Sequence, residues 1–223
     1  MRSSLTGLWG LSPAKAAALA RRCSVLRAHR GERIAHHGEP LRGVHVVAAG
    51  SVKLAVTATE GEQRVLRLVA SGESFGEPSA LLGSPCLYDA DALTDVTLII
   101  VPRAALLALF ERDRRFARQL LLAVAARSYA VLRELHSATT QRGAQRLAGY
   151  LESLPGRASE SGVHTVDLPV SKTIVAARLG MKKETLSRLL HQFAADGIIG
   201  VARREIAILD RGRLSAAARQ SHS

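Results

Sequence analysis

Residues 175–200 read VAARLGMKKETLSRLLHQFAADGIIG. A glycine at position 180 is followed by a polar run, and that run opens a helical pattern with leucines behind it. Ile174, Val175, Ala177 and Leu179 give the segment before the glycine an apolar face. Leu186, Leu189, Leu190 and Phe193 do the same for the segment after it, at the spacing of one helix face. Gly180 can take the left-handed conformation that closes a helix, and Gly197 can end the second one. Two helices joined by a short glycine-containing turn, the second with a polar first turn, predict a helix–turn–helix. The next residues, IIGVARREIAIL (198–209), place two apolar runs around Arg203 and Arg204, which predicts a small β-hairpin and so a winged variety.

The polar residues of the second helix carry the chemistry. Glu184, Ser187 and Arg188 lie three and four apart, so they share one face near its start. Arg188 can donate two bonds to a guanine edge, Glu184 can accept from a cytosine amino group, and Ser187 permits close approach. Lys183 is a further candidate for reading bases. Lys172, Thr173, Lys182 and Thr185, with Arg203 and Arg204 on the wing, suit phosphate contacts, which position a protein without reading sequence. The plainer reading is a solvated helix face whose Glu–Arg pair carries little energy.

Charge favours the nucleic-acid reading. The 223-residue chain has a formal net charge of +12, which points to a polyanionic partner. Residues 171–223 hold ten Lys or Arg and four Asp or Glu, a net of +6, so half the excess sits in the last quarter of the chain. The 47% of apolar and 22% of charged residues are ordinary for a soluble globular protein of one or two domains. Two cysteines, Cys23 and Cys86, are too few for a cysteine-only iron–sulfur site or a four-cysteine zinc site. No run of 18 apolar residues occurs, and the first 22 residues lack a signal-peptide core with a cleavage site, so a cytoplasmic protein without a membrane partner is expected.

Upstream the texture changes twice. Ser12 and Pro13 open a short helix over 12–22, as N-cap and first helical residue. From about 25 to 102, short β-rich runs are punctuated by Gly38, Gly50, Gly61, Gly72, Gly76 and Gly83, the texture of an antiparallel sandwich or barrel. After Pro102 the period becomes helical, with a short helix (RAALLALFERD) and a long one (RRFARQLLLAVAARSYAVLRELHSATT). In the long helix Ala117, Leu121, Val124, Ser128, Val131 and Leu135 alternate spacings of four and three, the a/d seam of paired helices. Such a seam predicts a two-fold homodimer, with Leu120, Leu122 and Leu132 left to pack on the β-domain; the other reading packs the seam itself there. The expected fold class is α+β. Residues 1–112 form a β-roll (jelly-roll) sensor domain with an N-terminal helix, 113–138 a dimerisation helix, and 139–223 a winged helix–turn–helix.

This order of elements resembles the CRP/FNR superfamily of bacterial transcription regulators over about residues 15–213. The motif ETLSRLL followed by GII is specific to it, and HHGEP, AAGSVKL and GESFGEPSALLGSP resemble the turns of the family's cyclic-nucleotide-binding-like β-roll. Glu184, Ser187 and Arg188 match the E-x-x-S-R pattern of the FNR-type branch. The resemblance implies a non-enzymatic regulator: a homodimer reading a palindrome of TTGAT-like half-sites, switched by an effector in the β-roll and touching RNA polymerase. Lys183 stands where relatives carry arginine or valine.

The effector is where the branches differ. Cyclic-AMP-responsive members use a Gly–Glu pair for the ribose and an Arg–Ser pair about ten residues later for the phosphate. Here Gly76 and Glu77 mark the effector-pocket position, but the second region reads CLYDADAL (86–93). With Asp89 and Asp91 there, a phosphate would meet carboxylates, so cyclic AMP is not the expected effector. The cysteine cluster of the oxygen-sensing branch is absent, which excludes an iron–sulfur cluster. Similarity to the Dnr-type branch, whose members are heme-dependent nitric-oxide sensors, makes heme a candidate cofactor. His29, His36, His37, His45, Cys86 and His136 are its candidate ligands, and the sequence does not choose among them. A rival class is a metal-dependent β-barrel enzyme built on HHGE, but adjacent His36 and His37 on a strand would point to opposite faces.

Overall fold

The computed structural model describes residues 5, 9–57, 63–158 and 164–219. The chain divides into two compact units, Met1–Ala130 and Val131–Ser223. Gly61 and the centre of the polar stretch 156–167 lie outside the described residues.

The first unit is a roll of two four-stranded antiparallel sheets. Its strands are β1 (Ser24–Ala28), β2 (Arg33–Ala35), β3 (Gly43–Ala49), β4 (Ser51–Thr57), β5 (Gln63–Ala70), β6 (Ser74–Phe75), β7 (Asp89–Ala92) and β8 (Val96–Pro102). One sheet has the order β1-β8-β3-β6 and the other β2-β7-β4-β5. Val47, Phe75 and Leu98 of the first sheet meet Val52, Leu54 and Ala90 of the second to form the core between them. The other face of the first sheet is also covered. Val44, Val46, Ile99 and Val101 pack there against Leu19 of α1 (Pro13–Ala20) and against the helices after β8. Burial on both faces explains why β3 is apolar at nearly every position, with only His45 interrupting, instead of alternating. Gly43 is required by close approach, since a Cβ there would lie 2.1 Å from the Val101 carbonyl oxygen.

Helix α2 (Glu77–Leu82) interrupts the strands and was not foreseen; α3 (Arg103–Arg112) and α4 (Arg114–Thr140) follow β8. Asp113 caps α4, accepting from the Arg115 and Phe116 amides, and pairs with Lys15 at 2.6 Å. Trp9 meets Phe116 edge to face at 5.4 Å, and Phe116 and Leu120 are buried against the roll. Leu120 therefore packs as expected, whereas Leu122 and Leu132 are exposed. Along the expected seam, Leu121, Ser128, Val131 and Leu135 are exposed while Ala117 and Val124 are half-buried. Exposed apolar side chains on α4 include Leu121 and Leu122 and, further along, Val131, Leu132 and Leu135. Val124 packs on the roll's core.

The second unit contains α5 (Gly143–Ser153), β9 (Gly156–Ala158), β10 (His164–Asp167), α6 (Lys172–Arg178), α7 (Lys183–Ala195), β11 (Ile199–Ala202), β12 (Glu205–Ile208) and α8 (Arg211–Arg219). The predicted wing is the β11–β12 hairpin, and it extends into a four-stranded sheet of order β11-β12-β10-β9. The basic tail, read from sequence without structure, forms α8 and packs on α5. Leu147 and Leu151 of α5, Val175 of α6, Leu186 and Leu190 of α7, and Ile206 of the wing share one core. Each such side chain contributes roughly 1.5–3 kcal/mol on leaving water.

Candidate functional site

The helix–turn–helix is built by its two glycines. Ser171 caps α6 by accepting from the Ile174 amide. Gly180 adopts φ +61°, and the amides of Gly180 and Met181 return to the carbonyls of Ala177 and Ala176. This pair of bonds is the Schellman closure that a left-handed residue permits. Gly197, at φ +69°, closes α7 the same way through Ala194 and Phe193. The buried side of α6 is Val175, Ala176 and Leu179; Ala177, assigned to that side from sequence, is half-buried, as is Ile174. Arg146 donates to the Leu179 carbonyl at 2.9 Å, and Arg178 pairs with Glu134 at 2.9 Å, which fixes α6 within its unit.

On α7, Leu186, Leu189, Leu190 and Phe193 are buried, so the opposite side faces out. Lys182, Lys183, Glu184 and Arg188 are exposed, while Thr185 and Ser187 are half-buried. Glu184 and Arg188 form no ion pair with each other among the described residues, although four positions apart, so both side chains are uncommitted. Thr173 is exposed and Lys172 half-buried at the start of α6.

The two wing arginines are unequal. Arg203 sits at the turn with φ +56°, a conformation that costs a non-glycine residue about 1–2 kcal/mol, and its side chain is exposed. Arg204 donates from Nε and Nη2 to the Leu168 carbonyl at 3.1 and 3.0 Å, so two of its donors tie the wing to the segment just after β10. The sequence treats the pair alike; the structure leaves only Arg203 fully presented.

In the roll, Gly76 (φ +89°) precedes α2 and Glu77 is buried. Glu77 is not vacant for a ribose. Arg127 of α4 forms an ion pair with it, and the Ser74 hydroxyl donates to it. Arg127 also donates to Ser74 at 3.1 Å, and Arg67 donates to the Ser74 carbonyl at 3.0 Å. Arg127 escaped the sequence reading, yet one arginine inside the apolar run LLLAVAARSYAVL was the available signal.

The expected clash of a phosphate with Asp89 and Asp91 needs correction. Ala90 and Ala92 of β7 point into the core, so alternation turns both aspartates to the sheet's other face. There Asp89 and Asp91 pair with Arg33 at 2.9 and 2.7 Å, and Asp91 with Lys53 at 3.2 Å. Burial works to raise the Asp91 pKa, but the Arg33 and Lys53 contacts outweigh it and the net shift is downward. The positions about ten residues after Glu77 are Cys86, Leu87 and Tyr88, which offer a phosphate no cation.

The candidate heme ligands are scattered. His29, His36, His37 and His136 are exposed, and His36 and His37 lie in a turn beyond β2 rather than on a strand. Cys86 is buried, with its thiol on the Tyr88 carbonyl and its pKa raised, first by burial. No cluster of three or more His, Cys, Asp or Glu poised to hold a metal occurs among the described residues. His45 alone is buried beside a cavity, of about 260 Å³. That volume lies below the roughly 300–1,000 Å³ of drug-sized pockets.

Known proteins match both units. The cyclic nucleotide-binding domain family matches residues 25–113, and the Crp-like helix-turn-helix domain family matches 145–217. The chain is 30% identical over 186 residues to the cyclic AMP receptor protein of Thermus thermophilus, covering 81% of this chain and 84% of the relative. It is 26% identical over 212 residues to a CRP-like cAMP-activated global transcriptional regulator of Mycobacterium tuberculosis, covering 94% and 95%. Among solved structures, FixK2 from Bradyrhizobium japonicum superposes with a TM-score of 0.76 at 23% identity, covering 90% of this chain and 99% of that one. A CRP/FNR-family regulator of Thermus thermophilus gives 0.68 at 26%, covering 89% and 100%. A β-roll followed by a winged helix–turn–helix defines a DNA-binding transcription regulator. The chain belongs to the CRP/FNR family. Among the described residues, no helix is long and apolar enough to cross a membrane.

Proposed function

We propose that the chain acts as a homodimer that reads a palindrome of TTGAT-like half-sites through α7, under the control of a signal received in the β-roll. The observation that carries this reading is the pair Glu184 and Arg188, exposed and unpaired on the outer side of a helix whose other side is locked by leucines. Arg188 takes guanine and Glu184 cytosine, with Ser187 and Lys183 alongside. Lys172, Thr173, Lys182, Thr185 and Arg203 set the register on phosphates, and Arg204 braces the wing. The exposed track of Leu121, Leu132 and Leu135 supports pairing of two α4 helices, which would present two recognition helices to half-sites about one helical turn apart. RNA polymerase is the expected downstream partner of such a regulator.

The relatives named for cyclic AMP make cyclic-nucleotide control the second reading. Against it stand the Glu77–Arg127 pair and the absence of a cation at Cys86, Leu87 and Tyr88. Heme control is disfavoured by the scatter of the candidate ligands. Calorimetry with cyclic AMP, and the Soret band of protein incubated with hemin, test each directly.

The DNA reading is tested by anisotropy on a TTGAT palindrome and on a scrambled duplex. Arg188→Ala is expected to weaken palindrome binding by about 1–3 kcal/mol while leaving scrambled DNA nearly unchanged. An equal loss on both duplexes would make Arg188 a phosphate contact and remove the proposed code.

A further inference from the structure

Helix α7 carries one more polar side chain in line with Glu184 and Arg188. At about 100° per residue, the buried stripe of Leu186, Leu189, Leu190 and Phe193 centres nearly opposite Glu184. Arg188 then stands about 40° to one side of Glu184 and His191 about 20° to the other, whereas Ser187 stands about 60° away. Burial follows the same order: Glu184, Arg188 and His191 are exposed, and Ser187 is half-buried. The middle row of the outward face therefore holds Glu184, Arg188 and His191, and one turn further on it ends in Ala195, which has no polar group.

The His191 side chain has no hydrogen-bond or ion-pair partner among the described residues. A helix lying in the major groove can read bases from positions i, i+3, i+4 and i+7, and Glu184, Ser187, Arg188 and His191 have that spacing. The two turns from Glu184 to His191 rise about 10 Å, or about three base-pair steps of 3.4 Å. Phosphates line the walls of the groove, within reach of the flanks of such a helix, while the middle of the face meets the floor, where the base edges lie. An imidazole always carries at least one N–H donor, and it is shorter than an arginine, so from the middle row it suits a base edge rather than a phosphate.

We propose that His191 is a further specificity-determining residue of α7, donating a ring N–H to guanine or thymine on the major-groove edge, within about three base pairs of the cytosine that Glu184 takes. This deepens the reading of α7 as the DNA-reading helix and rests on it. The E-x-x-S-R pattern stops at Arg188, so the contact of His191 restricts the preferred half-site beyond what that pattern specifies.

Selection of duplexes from a randomised pool by the full chain, beside its Arg188→Ala, His191→Ala and His191→Gln variants, tests this. His191→Ala is expected to lose preference at one position of each half-site that Arg188→Ala leaves intact. It should also bind the selected palindrome about two- to tenfold more weakly while binding scrambled DNA as the wild type does. His191→Gln, whose amide can pair with adenine N6 and N7, should redirect that same position to adenine, a gain that damage to the fold would not produce. An equal loss on palindrome and scrambled duplex would make His191 a phosphate contact, and an unchanged preference would make it a solvated surface residue; either overturns the proposal. So does a His191→Gln variant that keeps the wild-type base at every position, and that variant decides if His191→Ala does not fold. A palindrome enriched alike by the wild type and His191→Ala defeats this inference alone, whereas a wild type that enriches no sequence defeats the DNA reading with it.

Discussion

Two Glu–Arg combinations in this molecule stand in opposite settings. Glu77 and Arg127 meet inside the roll, with side-chain exposures of 2% and 28%, and share Ser74. Glu184 and Arg188 stand four apart on α7, exposed and unpaired. The same side chains serve as an internal lock in one place and as a vacant interface in the other. Desolvation makes the difference. A buried carboxylate needs its partner, because losing it leaves an uncompensated charge, whereas an exposed one is already satisfied by water and can exchange that water for a base edge.

The largest effect that could break this contrast is in the lock. Arg127→Met strands Glu77 in the roll, and because the arginine is partly exposed the expected cost is about 2–3 kcal/mol, below the 3–5 kcal/mol of a fully buried pair. Urea unfolding measures it. Glu184→Gln should change stability by less than about 0.5 kcal/mol. If the two variants unfold alike, the contrast in burial has no energetic meaning.

Stability against pH is a comparable effect. His45 protonates at about 4 when folded and near 6.5 when unfolded. The unfolded chain therefore takes up the proton first as pH falls, so stability is full above 6.5 and is lost between 6.5 and about 4. The gap corresponds to roughly 3 kcal/mol. Asp91 and Asp113 have lowered pKa values, so their contributions fade only below the model-peptide value of 3.8 and do not overlap this window. His45→Phe should flatten the unfolding free energy between pH 6.5 and 4; an unchanged slope would assign it to other groups.

A smaller effect sharpens the interface side. Arg203→Gly removes one wing charge and is expected to reduce the slope of log affinity against log salt by about 0.9. Stability should stay within about 0.5 kcal/mol, because relief of the left-handed strain offsets the extra freedom of glycine when unfolded. An unaltered slope would place Arg203 away from the phosphates.

The second unit was the more legible. Periodicity gave α6 and α7, the glycines at 180 and 197 marked their ends, and apolar runs around Arg203 and Arg204 marked the wing, because all three are local signals. What depends on distant partners stayed hidden. The Asp89 and Asp91 side chains were assigned to the roll's interior because their facing depends on the register of β7 against β2 and β4. Arg127 reaches Ser74 across 53 positions of sequence, and no local pattern announces such a contact. The half-burial of Val124, read as a seam residue, has the same origin: it packs on a core assembled from other segments. The unequal roles of Arg203 and Arg204 likewise follow from Leu168, far from the wing in sequence.

The most direct test is selection of bound duplexes from a fully randomised pool by the intact chain, repeated with Arg188→Ala. The account predicts that the wild type enriches a palindrome with two TTGAT-like half-sites about one helical turn apart, and that the variant loses preference at the guanine position alone. Enrichment of no sequence, or of an asymmetric single site that Arg188→Ala leaves unchanged, would contradict it.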